Sequence, residues 1–324
     1  MNKRFFLIAI IVMVVSVTKS QNIEYKGKYK LICETQNGKI HGKCVAYYVN
    51  GNKIAEGVIE NGYKNGIWTL WDSIGNIVVQ RQYENPFVYK VLTPKKSDNS
   101  LIQLLDVYPY QLKLNKDGYF DLFSIRERDI VWSKRLWRFV NVEDNKYFQQ
   151  HNFFKIIEDN AINRKITVYD ASNEDFSKAL CLAKPLDKEK YNLIGYNVKE
   201  DVFFDNIRFV MEYRIIGFCP VAVHKTNGDT LNLYWVHYPT TRKFLSQEKI
   251  DSKHSNSLIK TYDDILFFRD FTGSIYKESN AWDKPISAYT KVEDISKEAM
   301  KIELSILEKE IECWFDFFYL GELK

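Results

Sequence analysis

The stretch from Phe209 to Tyr238 constrains the fold more than any other part of this sequence. Two runs rich in β-branched and aromatic residues flank the tetrad Thr226-Asn227-Gly228-Asp229. Asn-Gly between such runs predicts a β-hairpin, because both residues tolerate the positive φ that tight turns require. The first run is apolar at nearly every position from Ile215 to Val223. A strand of that kind is expected inside a sheet covered on both faces. Pro220 has no amide proton, so it belongs at a bulge or where the strand leaves its ladder. In the second run Leu231, Leu233 and Trp235 fall on one face, and Asn232 and Tyr234 on the other.

The rest of the chain must supply the cover for this sheet. Ile125, Asp129, Trp132, Leu136 and Val140 recur at three- and four-residue steps, which predicts a helix. Trp132 and Trp137 on that helix read either as a docking surface or as a face packed on its own sheet. Short helices are expected over Phe153–Asn160 and Glu174–Ala183, with a strand at Lys165–Asp170 between them. Ile259–Phe271 carries a helical pattern in Tyr262, Ile265, Leu266 and Phe268. The closing element, from about Asp294 to Phe318, has a wide apolar stripe running from Ile295 through Ile302 and Ile306 to Trp314 and Phe315. That stripe reads as core cover, with Asp294 as N-cap. The expected class is α+β: a mainly antiparallel sheet with a central hairpin covered by helices, preceded by a small all-β repeat domain.

That repeat lies between Gly27 and Pro86. Gly27, Gly51 and Gly75 recur at a spacing of 24, as do Asn37-Gly38 and Asn61-Gly62, while Gly42 matches Gly66. Short aromatic runs holding Tyr47, Tyr48, Trp68 and Trp71 lie between the glycines. A fixed short period of turns and strands predicts stacked hairpins. The segment resembles MORN-variant repeats, which implies an interaction module. A β-meander that caps the next domain fits the same residues. The polar break Lys95–Ser100 marks the expected boundary, giving a leader (1–20), a repeat module (21–93) and an α+β domain (94–324).

Asn2-Lys3-Arg4, an apolar run from Phe5 to Val17 and a small residue at Ser20 form the pattern of a cleavable secretory signal. The formal net charge of +4 includes Lys3, Arg4 and Lys19, so the remainder carries about +1. A nearly neutral chain lacks the basic footprint of a nucleic-acid binder. The five cysteines, Cys33, Cys44, Cys181, Cys219 and Cys313, form no CxxC pair, which argues against a zinc site. Cys33 and Cys44 could face each other on neighbouring strands of the repeat. A bridge there and five small buried hydrophobes are the two readings.

The sequence carries no recognisable catalytic constellation. None of the five histidines sits in an HxxxH or HExxH spacing, and GxSxG, P-loop and GxGxxG motifs are missing. Cys219 with His224 or His237 is the one imaginable nucleophile–base pair. Five residues along a strand put Cys219 and His224 on opposite faces. No cofactor, no metal and no concave site with converging titratable groups is expected.

Several segments, in order, resemble the GldN/PorN proteins of gliding motility and type IX secretion. They are Arg128–Arg138, Lys199–Asp205, Tyr213–Pro220, Tyr234–Pro239 and Ser274–Asn280, followed by the closing helix. The similarity spans roughly Tyr119–Phe318. It departs at Asn141–Asp144, and the N-terminal repeat lies outside it. The resemblance implies a soluble, non-enzymatic periplasmic subunit that forms a ring or complex with an outer-membrane lipoprotein of the GldK/PorK type. It points to Trp132, Lys134, Arg135, Trp137, Arg138, Tyr276, Lys277, Glu278 and Asn280 as family-motif or partner-contact residues. The alternative is a periplasmic binding module holding a peptide or glycan on Tyr47, Tyr48, Trp68 and Trp71.

Overall fold

The computed structural model describes residues 21–60, 62–84, 89–93, 114–150, 153–250 and 259–320. The leader and the polar break at Lys95–Ser100 lie outside the described residues. The chain opens with β1 (Gln21–Lys26), β2 (Lys30–Gln36), β3 (Lys39–Tyr47), β4 (Lys53–Glu60), β5 (Tyr63–Trp71), β6 (Ile77–Tyr83) and β7 (Tyr89–Thr93). These make one seven-stranded antiparallel meander in chain order. The 24-residue period is visible in its turns. Gly51 (φ 87°) donates to the Tyr48 carbonyl and Gly75 (φ 96°) to that of Asp72, while the Tyr48 and Asp72 N–H groups donate to the carbonyls of Asn52 and Asn76. Glycine is required there because φ is positive.

Inside this sheet the Trp68 indole lies on Gly57 and donates to the Val58 carbonyl at 2.9 Å. A Cβ at position 57 would stand 2.2 Å from the ring. Gly57→Ala is therefore expected to lower stability by about 1–3 kcal/mol through overpacking, seen as a drop in the thermal midpoint. An unchanged midpoint would show that Trp68 moves aside freely.

The second part begins with β8 (Ile130–Asn141), α1 (Lys146–Gln150), α2 (Phe153–Ile162), β9 (Val168–Tyr169), β10 (Ala179–Leu180), β11 (Tyr191–Asp205) and β12 (Val210–His224). It continues through β13 (Thr230–Asn232), β14 (Trp235–His237), α3 (Tyr238–Leu245), α4 (Tyr262–Phe267), β15 (Ser274–Glu278) and α5 (Ile295–Leu320). The strands form a second antiparallel sheet in the order β10-β9-β14-β12-β11-β8-β15, with β13 beside β12. The α+β class is as expected.

The central hairpin forms, with a longer turn than Asn-Gly alone implies. His224 pairs with Asp229 across four residues, and Gly228 (φ 77°) holds the positive φ while Asn227 does not. Pro220 sits between the β14 partner Phe218 and the β13 partner Val221, where its missing proton costs no ladder bond. The alternation expected across Leu231–Trp235 breaks at that gap: Leu231 is exposed, whereas Tyr234 and Trp235 are both buried.

Two helix expectations are corrected. Residues 130–141 are strand β8, paired with both β11 and β15. The steps 132, 136 and 140 fit a period of two as well as 3.6, and the β-branched and aromatic residues settle the choice toward strand. Glu174–Ala183 is irregular apart from the two-residue strand β10. Asp170, Asn173 and Asp175 each accept a backbone N–H two residues on, at 2.9–3.1 Å, and those Asx turns compete with a helix. Helix α3 carries no apolar repeat strong enough to stand out in the sequence.

Helix α5 stands between the two sheets. Ile302 and Ile306 pack with Leu136, Val202 and Ile275 of the second sheet. Leu307 and Ile311 line a small void with Leu31, Ala55 and Trp68 of the first. Glu308 accepts from the Tyr29 backbone at 2.8 Å and from the Tyr25 hydroxyl. Lys64 pairs with Glu310 at 2.6 Å. Cys33 and Cys44, directly opposite on β2 and β3, form a disulfide beneath this helix. The meander is thus docked on the rest of the chain.

Candidate functional site

Strand β8 carries most of the motif residues, and a strand sends alternate side chains to opposite faces. On the inner face lie Trp132, Lys134, Leu136 and Arg138, toward α5; on the outer face lie Arg135 and Trp137. β15 joins through a bulge between Ile275 and Lys277. That extra residue places Tyr276 in the outer cluster of Trp137, Cys219 and Trp235.

On the outer face the Trp137 indole donates to Glu174 at 2.7 Å. Lys277 Nζ lies 4.3 Å from the Trp137 ring centre. Lys199 donates to the Glu174 carbonyl at 2.7 Å, and burial pushes its pKa down. Phe176 covers Gly217, where a side chain would collide with its ring. Arg135 grips Asp201 with two bonds at 2.8 and 2.9 Å. Lys134 pairs with Glu278 at 2.7 Å across β8 and β15. Asn280 accepts from the Trp282 backbone at 3.0 Å and so shapes the turn beyond β15.

On the inner face Glu200, fully buried, accepts from Arg138 Nε and from Arg269 Nη2, both at 2.6 Å. Arg138 also donates to Glu303 of α5 at 2.6 Å. Burial pushes the Glu200 carboxyl up; the two guanidiniums beside it win and hold it below the usual carboxylate range. Glu200, Arg269, Glu303 and Glu174 were not singled out in the sequence. The available signal was a charge in the middle of an otherwise apolar strand, Lys199-Glu200-Asp201 within β11.

A cleft of about 520 Å³ opens between the two sheets, lined by Arg138, Arg269 and Glu303 and by Lys39, His41 and Asp144. This corrects the expectation that no concave site with converging titratable groups exists. The pattern of apolar residues cannot report such a space, because it forms between two sheets that are far apart in the sequence. Its interior charges are spent largely on one another. Among the described residues no group of three metal-ligating side chains is present.

The Cys219 thiol is buried among Trp137 and Trp235, and burial pushes it up to about 12. It contacts the Pro220 carbonyl and the backbone of Leu233 and Tyr234, and among the described residues no histidine is hydrogen-bonded to it. His237 instead faces Phe176 at 5.0 Å and His224 faces Tyr191 at 5.0 Å. A thiol alkylating agent at neutral pH is therefore expected to label exposed Cys181 while Cys219 and Cys313 react only after unfolding. Mass spectrometry of the intact and digested chain reads this out; rapid native labelling of Cys219 would contradict its burial.

The aromatic residues of the meander do not form one exposed row. Trp68 is buried, and the Tyr48 hydroxyl donates to the Trp71 carbonyl at 3.0 Å while its ring meets Phe315. Tyr47 and Trp71 are half-buried.

The sequence profile of one family, described as gliding motility associated protein GldN, matches residues 125–315. That is more than half of the chain and includes β8, β11, β12, β15 and nearly all of α5. No curated protein matches the chain significantly.

Proposed function

Because the chain belongs to the GldN family of gliding motility associated proteins, we propose that it is a non-enzymatic structural subunit of the type IX secretion and gliding machinery. It works in the periplasm, in a ring or complex with an outer-membrane lipoprotein of the GldK/PorK type. The observation that carries this reading is how the matched motif residues are used. Lys134, Arg135 and Arg138 pair with carboxylates of neighbouring strands and of α5, and Trp137 donates to Glu174 in the irregular segment before β10, which makes a stiff frame rather than a reaction centre.

The Cys33–Cys44 disulfide supports export, since such bonds persist in oxidising compartments. No helix among the described residues is long and apolar enough to cross a membrane. Trp282 (76% exposed) and Val292 (85% exposed) follow the β15 motif and are the contact points this reading favours over the covered Trp132 and Trp137.

Co-purification from the outer-membrane fraction tests the proposal. The native protein is expected to bring the lipoprotein down, and Trp282→Ala to reduce the yield at least tenfold without changing the melting temperature. A strictly monomeric protein that captures nothing would overturn it.

A further inference from the structure

The contact surfaces above make no use of the cleft between the sheets. We propose that this cleft binds a small, uncharged, polyhydroxylated ligand of the carbohydrate class. Its volume, about 520 Å³, is within the range of small-molecule sites.

Its open polar atoms define the ligand. Arg269 Nε is buried with no hydrogen-bond partner, and among the described residues Arg138 Nη2 and Arg269 Nη1 are likewise unengaged. A guanidinium only donates, so the ligand must bring acceptors. Glu303 binds Arg138 through Oε1 and Asp144 binds Lys39 through Oδ2; among the described residues nothing donates to their other oxygens. The ligand must therefore bring donors as well.

Charge then excludes ions. Arg138 and Arg269 are balanced by Glu200 and Glu303, and Lys39 by Asp144 at 3.2 Å. A charged guest would lose its hydration without meeting a net field of opposite sign. A hydroxyl both donates and accepts, which suits a wall of alternating guanidinium and carboxylate. Tyr63 and Phe271 line the same space and add aromatic carbon to its wall, with the Arg269 guanidinium 5.6 and 5.7 Å from their ring centres.

Isothermal titration calorimetry on the full chain tests this with glucose, N-acetylglucosamine and maltose, and with succinate and glycylglycine as charged probes. At least one neutral sugar is expected to bind with a dissociation constant of about 1 mM or tighter. Asp144→Asn and His41→Trp are expected to weaken it tenfold or more with unchanged melting. The Asp144 side chain is 53% exposed, so its variant decides if filling the cleft with tryptophan disturbs the fold. Failure of all three sugars, binding of a charged probe in their place, or a variant with native melting that binds as the native chain does would overturn the proposal. None of these results bears on capture of the lipoprotein.

Discussion

Replacing Glu200 with alanine is expected to lower the unfolding free energy by about 3–5 kcal/mol, the range for breaking a buried ion pair by removing one member. Glu200 is fully buried and is the acceptor shared by Arg138 and Arg269. Without it, two guanidiniums from different elements are left facing each other with Glu303 as the remaining carboxylate. The loss is dominated by uncompensated buried charge, not by missing contacts. Urea unfolding followed by circular dichroism measures it, and a loss under 1 kcal/mol would show that water replaces the carboxylate easily.

The same residue sets a pH dependence. The Glu200 pKa is lowered in the folded chain. Its contribution is therefore complete above the unfolded carboxyl value and is lost as pH falls through the folded one. Acid should weaken the native protein more than Glu200→Gln, whose site has nothing to protonate. Parallel acid dependence in the two proteins would remove Glu200 from the account.

Replacing Cys33 and Cys44 together with alanine is expected to cost about 3 kcal/mol, the chain-entropy value for a short closed loop. The bridge spans 11 residues between β2 and β3 and lies fully buried beneath α5. The effect should appear in the meander first. Hydrogen exchange is expected to quicken in β1–β3 before β11 and β12. Uniform quickening across both sheets would mean that the chain unfolds as one cooperative unit.

How much of this was legible follows from what each signal depends on. The hairpin around Gly228 was legible, because a turn that needs positive φ restricts residue type locally. So was α5, whose 26 residues keep an apolar stripe over many turns. The 24-residue period of the meander was legible because each turn repeats the same backbone bonds. Strand β8 was not, since a four-residue step serves both periods when a strand carries paired charges on each face. Of the motif residues, Trp137, Tyr276 and Lys277 do meet on the outer face, through a bulge that no spacing rule anticipates.

The amino-acid sequence alone determined the class of fold, the turns, the closing helix and the family, since these rest on periodicity, glycine placement and ordered short motifs. Tertiary structure alone decided that the facing Cys33 and Cys44 are bridged, that Glu200 holds Arg138 and Arg269 together, and that a cleft separates the two sheets. Those facts join residues 11 to 69 positions apart or more, and the pairing of distant charges depends on which faces the sheets turn toward each other. Local patterns record where a side chain points on its own strand; what waits for it across the interior is fixed by the docking of whole elements.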